Sequence, residues 1–141
     1  MNADFLDAHH RHWTDAEKLF LTQRWANADH LYGMAAECGL KRLMLAFGMP
    51  YDTMKDRPVK EQDMKHVDRI WARFESYRCG HVLGAGYVLS GIANPFVDWN
   101  VSQRYAHQSH FDQTRTENHR AGAGTVRALV LKAEYEGRLL T

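Results

Sequence analysis

The sequence has few cysteines, few prolines and no long apolar run. Cys38 and Cys79 are its only cysteines, which favours free thiols over a disulfide scaffold. No apolar stretch is long enough to cross a membrane. The first 13 residues are polar, so the sequence predicts no secretory signal. Together these absences predict a cytoplasmic protein with no membrane partner.

The chain also lacks a clear excess of charge and the common catalytic motifs. It has 18 Lys and Arg against 17 Asp and Glu, which argues against a broad basic surface for nucleic acid. Gly84 and Gly86 have neither the third glycine nor the preceding strand of a phosphate-binding loop. His9 and His12 lie three apart on a predicted helix, but no third metal ligand is marked. No cofactor and no metal site is predicted.

One stretch, residues 27–47, dominates what remains. Its apolar residues recur at helical spacing over more than half of the circumference, which predicts a central helix with neighbours on several sides. Gly33 and Gly39 suggest close approach by a neighbour. Glu37 stands four residues before Lys41, so it either forms a surface ion pair or is a buried carboxylate. The stripe comprises Ala28, Leu31, Tyr32, Met34, Ala35, Ala36, Cys38, Leu40, Leu43, Met44 and Phe47.

Four further helices are predicted around this one. The first spans residues 4–23 with Asp4 as its cap, and the short link Gln23-Arg24-Trp25 implies an antiparallel hairpin. The third spans 63–77, after a polar loop at 50–62. Residues 79–93 predict a short fourth helix, with a strand pair turning at Gly84 or Gly86 as the alternative. The last begins near Asp112 or Thr114 and ends at Gly137. The prediction is a single all-α domain over residues 1–141, an antiparallel bundle of about five helices.

Several short motifs carry a resemblance to a known family. Ala26-Asn27-Ala28 precedes the run Ala35-Ala36-Glu37-Cys38-Gly39-Leu40-Lys41 on the central helix. His66 follows near the third helix, and Arg104-Tyr105-Ala106 precedes the last. In these motifs and in the order of its elements, the chain resembles the HEPN family of small bacterial and archaeal α-helical domains. The resemblance implies a HEPN-like bundle and, as in many such domains, a homodimer.

The resemblance implies two different functions. Many HEPN proteins are metal-independent RNases with an arginine, four to six residues and then a histidine, and five residues separate Arg104 from His110 here. In such a pair histidine acts as general acid or base, and arginine holds the phosphate. Tyr105 stands where the RNases usually have a small polar residue. The other branch of the family acts by binding, including within bacterial conflict systems.

The polar segment 98–119 is predicted to carry the function. Arg104 is expected to bind a carboxylate of Glu37, Asp98 or Asp112 and so to pin this segment to the bundle. The favoured hypothesis is a non-catalytic protein that binds a protein partner in a toxin–immunity or toxin–antitoxin pair. The alternative is an RNase toxin that uses Arg104 and His110 on RNA. The predicted binding residues are Glu37, Asp98, Arg104, Tyr105, His107 and Asp112.

Overall fold

Four α-helices account for most of the computed structural model, which describes residues 1–89 and 91–139. They are α1 (Phe5–Leu21), α2 (Trp25–Ala46), α3 (Val67–Cys79) and α4 (Gln113–Tyr135). The prediction of an all-α helical bundle is confirmed. Within the described ranges, no helix combines the length and apolar character needed to span a bilayer.

The α2 helix lies at the centre and packs against α1, α3 and α4. Its stripe is buried as predicted, and the side chains of Leu40 and Leu43 are fully inaccessible. The α2 helix starts two residues earlier than predicted, at Trp25, so the link from α1 is only residues 22–24. Tight reversal at Gln23, with φ of 59°, makes α1 and α2 an antiparallel hairpin.

The two glycines of α2 mark close approaches, as predicted. A Cβ atom on Gly33 would lie 2.1 Å from the Trp99 ring, and one on Gly39 would lie 2.7 Å from Val126. Contacts below about 3 Å are excluded, so any larger residue would displace these neighbours. Gly33 therefore brings Trp99 against the central helix, and Gly39 does the same for α4.

Aspartate side chains begin α1 and α4. Asp4 accepts hydrogen bonds from the backbone N–H groups of Leu6 and Asp7, and Asp112 accepts one from the N–H of Arg115 at 2.8 Å. Such caps satisfy donors that a helix start leaves free. Of the two predicted starting residues for the last helix, Asp112 is the cap and Thr114 is not.

The prediction of a fourth helix at 79–93 is wrong for the described residues of that run, which leave out residue 90. The α-helices of the described residues number four. After Cys79 the chain turns sharply, and only Gly84–Gly86 forms a short 3-10 helix. A Cβ on Gly84 would lie 1.9 Å from the carbonyl oxygen of Arg78. Tyr87 and Leu89 of this run are buried and anchor it, whereas Val82 is 90% exposed. The glycines permit the close turn.

Two smaller boundaries also differ from the prediction. The third helix begins at Val67, because residues Glu61–Met64 form a separate 3-10 helix. Asp63 lies on that turn with no exposed surface, and its carboxylate accepts hydrogen bonds from Arg73 and Tyr77. The predicted 50–62 loop contains one antiparallel strand pair, Tyr51–Asp52 with Arg57–Pro58.

Candidate functional site

A buried polar network lies beside the start of α4. Asp29 on α2 has no exposed surface, and His119 on α4 is 1% exposed. The Nδ1 atom of His119 lies 2.5 Å from Asp29 Oδ1, and its Nε2 atom lies 2.8 Å from Asp98 Oδ1. Two carboxylates from distant parts of the chain therefore hold one imidazole. Asp29 and His119 are buried, whereas the Asp98 side chain is 56% exposed. After its two central members, we call Asp29, Asp98, His119, Arg115 and Gln103 the buried network.

Arg115 and Gln103 extend this network to the polar segment. Arg115 donates to Asp98 through Nη1 to Oδ2 at 3.1 Å and through Nη2 to the backbone oxygen at 2.6 Å. Gln103 donates from Nε2 to the second oxygen of Asp29 at 2.6 Å. These charge-assisted bonds fasten residues 98–103 to both α2 and α4.

The electrostatics of the network favour a protonated His119. Burial alone would lower the pKa of His119, but hydrogen bonds and charges from Asp29 and Asp98 outweigh burial and raise it. Burial would likewise raise the pKa of Asp98, and here His119 and Arg115 outweigh it and lower that pKa. The network is thus an ion cluster in which each charge has a partner.

Two aromatic residues anchor the backbone that leads into the network. Phe96 is fully buried and stacks on His119, with ring centroids 5.2 Å apart. Trp99 donates from Nε1 to the backbone oxygen of Asp29 at 3.3 Å and stacks on His30. Their role as anchors of this connection agrees with the large area that such rings bury.

The prediction for Arg104 is wrong. No hydrogen bond or ion pair joins it to Glu37, Asp98 or Asp112 in the part of the chain that the structure describes. The Arg104 guanidinium lies instead over the ring of Tyr105, with 4.9 Å to the centroid, and both residues are exposed. Arg104 lies in the last turn of the 3-10 helix Val101–Tyr105.

Arg115, and not Arg104, binds the carboxylate of Asp98 and holds the polar segment against the bundle. The signal for it was present in the sequence, because Arg115 and His119 are four residues apart and so share one face of α4. That face meets α2 at Asp29. Helical periodicity places Arg115 and His119 on one face of the last helix, but it does not show that this face meets Asp29.

The predicted catalytic pair is not joined in the structure. His110 is exposed on a second 3-10 turn, Gln108–His110, and no hydrogen bond links it to Arg104 among the described residues. His107 starts this turn and accepts a bond from the N–H of Ser109 at 3.1 Å. Each of the three basic residues in this segment therefore keeps an accessible side chain.

An open cavity of about 450 Å³ separates this segment from the start of α2. Arg24, Trp25 and Asn27 line one side, and His107, Ser109 and Phe111 line the other. Polar groups and two aromatic rings thus border a concave surface next to residues 104–110.

Glu37 belongs to a different cluster, between α2 and the start of α3. Its Oε1 lies 2.9 Å from Lys41 Nζ and its Oε2 lies 3.1 Å from His66 Nδ1. Glu37 is 6% exposed, so it is both paired and buried, whereas the side chain of His66 is 44% exposed. The sequence left open a surface ion pair or a buried carboxylate for Glu37, and the structure shows a carboxylate that is buried and also ion-paired.

The histidines near the N-terminus do not come together around a metal. His9 has no exposed surface, and its Nδ1 atom donates to the carbonyl oxygen of Ala35 at 2.7 Å. His10 pairs with Glu134 on α4 at 2.8 Å. Over residues 1–89 and 91–139, no group of three or more His, Cys, Asp or Glu side chains has the arrangement of a metal site.

The predicted binding residues thus fall into two sets. Glu37, Asp98 and Asp112 form structural contacts, while Arg104, Tyr105 and His107 are exposed within four residues of one another. No protein-family model, no curated protein and no solved structure matches this chain. What distinguishes this surface is that its exposed residues directly follow Gln103, which the buried network holds through Asp29.

Proposed function

We propose that this chain is a non-catalytic binding protein that recognises a protein partner through residues 104–110. The observation that carries the proposal is a contrast across one short segment. Tyr105 is 79% exposed beside the exposed Arg104. Directly before them, Gln103 is bonded to fully buried Asp29. The exposed side chains of Arg104 and Tyr105 therefore directly follow a residue that is bonded to the core of the bundle.

This arrangement suits recognition for a physical reason. Tyrosine and arginine are among the residues that most often dominate interface energies. A surface that is already ordered loses less conformational entropy on binding than a mobile loop. The cavity bordered by His107 and Phe111 provides a concave region next to Tyr105 in which a partner side chain could be enclosed.

The setting we propose is a toxin–immunity or toxin–antitoxin pair, in which the chain neutralises or accompanies its partner. The HEPN resemblance of the α2 motif supports this setting, as does the absence of a joined Arg104–His110 pair. We place the encounter in the cytoplasm, because Cys38 and Cys79 are both free thiols.

Co-purification tests the binding function directly. The tagged chain is co-expressed with the product of each adjacent gene, and a bound partner is measured by its retention on the affinity matrix. We expect Tyr105→Ala to reduce retention at least tenfold, the loss typical of an interface anchor of about 1.4 kcal/mol or more. Met54→Ala is the matched control, since Met54 is 93% exposed in the turn between the two strands.

Equal retention by the wild type and Tyr105→Ala, with a partner bound, would exclude residues 104–110 as the recognition surface. A specific observation keeps an RNase as the second candidate: Arg104, His107 and His110 all present accessible side chains within one segment. In that case expression of the wild type alone is toxic, and His110→Ala relieves the toxicity.

A further inference from the structure

The cavity between the start of α2 and residues 106–111 is lined by basic and neutral side chains only. None of the described residues around this space of about 450 Å³ is an aspartate or a glutamate. Arg24 carries its one permanent charge, and the other polar members are Gln23, Asn27, His107, Gln108 and Ser109. We call this space the Arg24 cavity. A concave surface lined by one sign of charge attracts a group of the opposite sign.

Arg24 is exposed, and the chain itself supplies it with no carboxylate among the described residues. It directly precedes α2, its side chain forms no capping hydrogen bond, and the first turn of that helix has no acidic residue. Arg120, by contrast, donates two hydrogen bonds to Glu17, each at 2.8 Å. The Arg24 guanidinium is therefore available to form the same two-pronged bond with a carboxylate from another molecule.

His107 supplies a second donor on the other side of the cavity. The backbone N–H of Ser109 donates to His107 Nδ1 at 3.1 Å. A neutral imidazole whose Nδ1 atom accepts a hydrogen bond carries its proton on Nε2. His107 therefore offers an N–H group, and a carboxylate between the two sides could accept bonds from His107 and from Arg24.

Two aromatic rings form apolar walls of the Arg24 cavity. Trp25 packs edge-on against Phe20, with ring centroids 5.2 Å apart. Phe111 is 7% exposed, and the Arg115 guanidinium lies 5.6 Å from the centroid of its ring. Apolar walls exclude water from around an ion pair, and a lower local dielectric strengthens the attraction between its charges.

The backbone on both sides of the cavity is already held by hydrogen bonds. The N–H of Arg24 donates to the carbonyl oxygen of Leu19 at 2.8 Å, and the N–H of Phe111 donates to that of Gln108 at 3.1 Å. A ligand that enters therefore has little backbone to order, which reduces the entropic cost of binding.

We infer that the Arg24 cavity binds a side-chain carboxylate from an acidic segment of the partner protein, with Arg24 and His107 as its donors. The inference rests on the proposed function, because it names the chemistry that this surface recognises. Tyr105 directly precedes Ala106, which lines the cavity. A partner segment that contacts exposed Arg104 and Tyr105 therefore passes the cavity, and Arg104 adds a second positive charge along its path.

The distribution of charge favours an acidic protein segment over a nucleic acid. A nucleic acid carries a phosphate on every nucleotide, and binding it takes a broad row of cations. This chain has 18 Lys and Arg against 17 Asp and Glu. Asp98 and Asp112 also lie on either side of residues 104–110 in the sequence. One arginine and one imidazole in a closed space suit a single carboxylate.

Fluorescence polarisation with a labelled hexaglutamate peptide tests the inference without knowledge of the partner. At low ionic strength we expect saturable binding to the wild type, with a dissociation constant below about 1 mM, and no binding of hexaglutamine. Arg24→Gln should raise the dissociation constant for hexaglutamate at least tenfold, with unchanged thermal unfolding. Lys55→Gln is the matched control, because it removes the same charge from an exposed lysine in the turn between the two strands.

Three results with these probes would overturn the inference. The first is that hexaglutamate does not bind the wild type. The second is equal weakening by Arg24→Gln and Lys55→Gln, which would show that overall charge and not the cavity attracts the peptide. The third is tighter binding of labelled hexauridylate than of hexaglutamate, lost in Arg24→Gln, which would assign the cavity to a nucleic acid.

Arg24→Gln in the co-purification experiment separates this inference from the proposed function. We expect both Arg24→Gln and Tyr105→Ala to reduce retention of the partner. Loss of retention in Tyr105→Ala but not in Arg24→Gln would overturn the inference and leave the proposed function intact. Hexaglutamate binding that Arg24→Gln abolishes, with retention unaffected by Tyr105→Ala, would support the carboxylate site and exclude residues 104–110 as the recognition surface.

Discussion

Two histidines of this bundle are equally buried, but their pKa values are shifted in opposite directions. His9 on α1 has no exposed surface, and His119 on α4 is 1% exposed. Burial lowers the pKa of His9 to about 4. The two carboxylates around His119 outweigh the same effect and raise its pKa. Burial therefore does not decide the charge of a histidine in this core, and the acceptors around it do.

The opposite pKa shifts follow from the hydrogen-bond acceptors that surround each imidazole ring. His9 donates from Nδ1 to one backbone carbonyl, that of Ala35, and its Nε2 atom has no hydrogen-bond partner among the described residues. A neutral ring needs only one acceptor, so His9 behaves as a packing residue against Gly39. His119 donates from both nitrogens to Asp29 and Asp98, which requires the protonated form.

The largest effect should come from removing Asp29. Asp29→Ala leaves the Nδ1 atom of buried His119 and the Gln103 amide without their acceptor. Losing one partner of a buried ion pair costs about 3–5 kcal/mol. Urea unfolding at pH 7 measures the loss. Asp7→Ala is the control, since Asp7 is 70% exposed in its side chain and pairs with Arg11 at 3.6 Å, and it should cost no more than about 1 kcal/mol.

Leucine at each histidine position compares the two sites directly. His119→Leu leaves buried Asp29 without its main partner, and we expect a loss of about 3 kcal/mol or more. His9→Leu removes one neutral hydrogen bond and keeps an apolar group of similar size, so we expect about 1 kcal/mol. Equal losses in the two variants, measured by urea unfolding at pH 7, would contradict the assignment of opposite charge states.

The effect of pH on stability should be smaller than the losses above. It should have opposite signs for His9 and His119. The folded pKa of His9 is about 4 against 6.5 for the free group, so its contribution falls as pH drops from 6.5 toward 4. The raised pKa of His119 gives a contribution that is complete below 6.5 and is lost at higher pH. Each proton carries about 1.4 kcal/mol per pH unit. The unfolding free energy of His9→Leu should therefore fall less steeply than that of the wild type between pH 6 and 4.

Carbon-detected NMR titration of the imidazoles resolves the two groups individually. We expect the His119 ring to remain protonated at pH 6.5 and the His9 ring to remain neutral there. A His119 signal that titrates near the value of an exposed histidine would show that Asp29 and Asp98 do not hold its charge.

Patterns confined to one helix were predictable from the sequence. The α2 stripe predicted its own burial, because apolar periodicity is a local property. Asp4 and Asp112 predicted helix starts, since a cap bonds to N–H groups only two or three residues away. The glycine-rich run at 79–93 was not predictable in this way. Its conformation depends on the approach of Gly84 to the Arg78 carbonyl and on the burial of Tyr87, which are tertiary contacts.

In the candidate site, too, local features were predictable from the sequence and tertiary contacts were not. The polar segment and its exposed Arg104 and Tyr105 could be identified by composition. Which arginine holds the segment could not, because Asp29 is 86 residues from Arg115 in the sequence and nothing local marks the pair. Arg104 is close to the predicted acceptor Asp98 in sequence, yet Arg115 reaches that carboxylate across the fold.

The most direct test of the proposed function is an RNA-cleavage assay with the purified chain in the presence of EDTA. We expect RNA to remain intact with the wild type, Arg104→Ala and His110→Ala alike, because no hydrogen bond joins Arg104 to His110 in the described chain. Metal-independent cleavage by the wild type that disappears in His110→Ala, with unchanged unfolding of the variant, would contradict a non-catalytic role and establish the RNase.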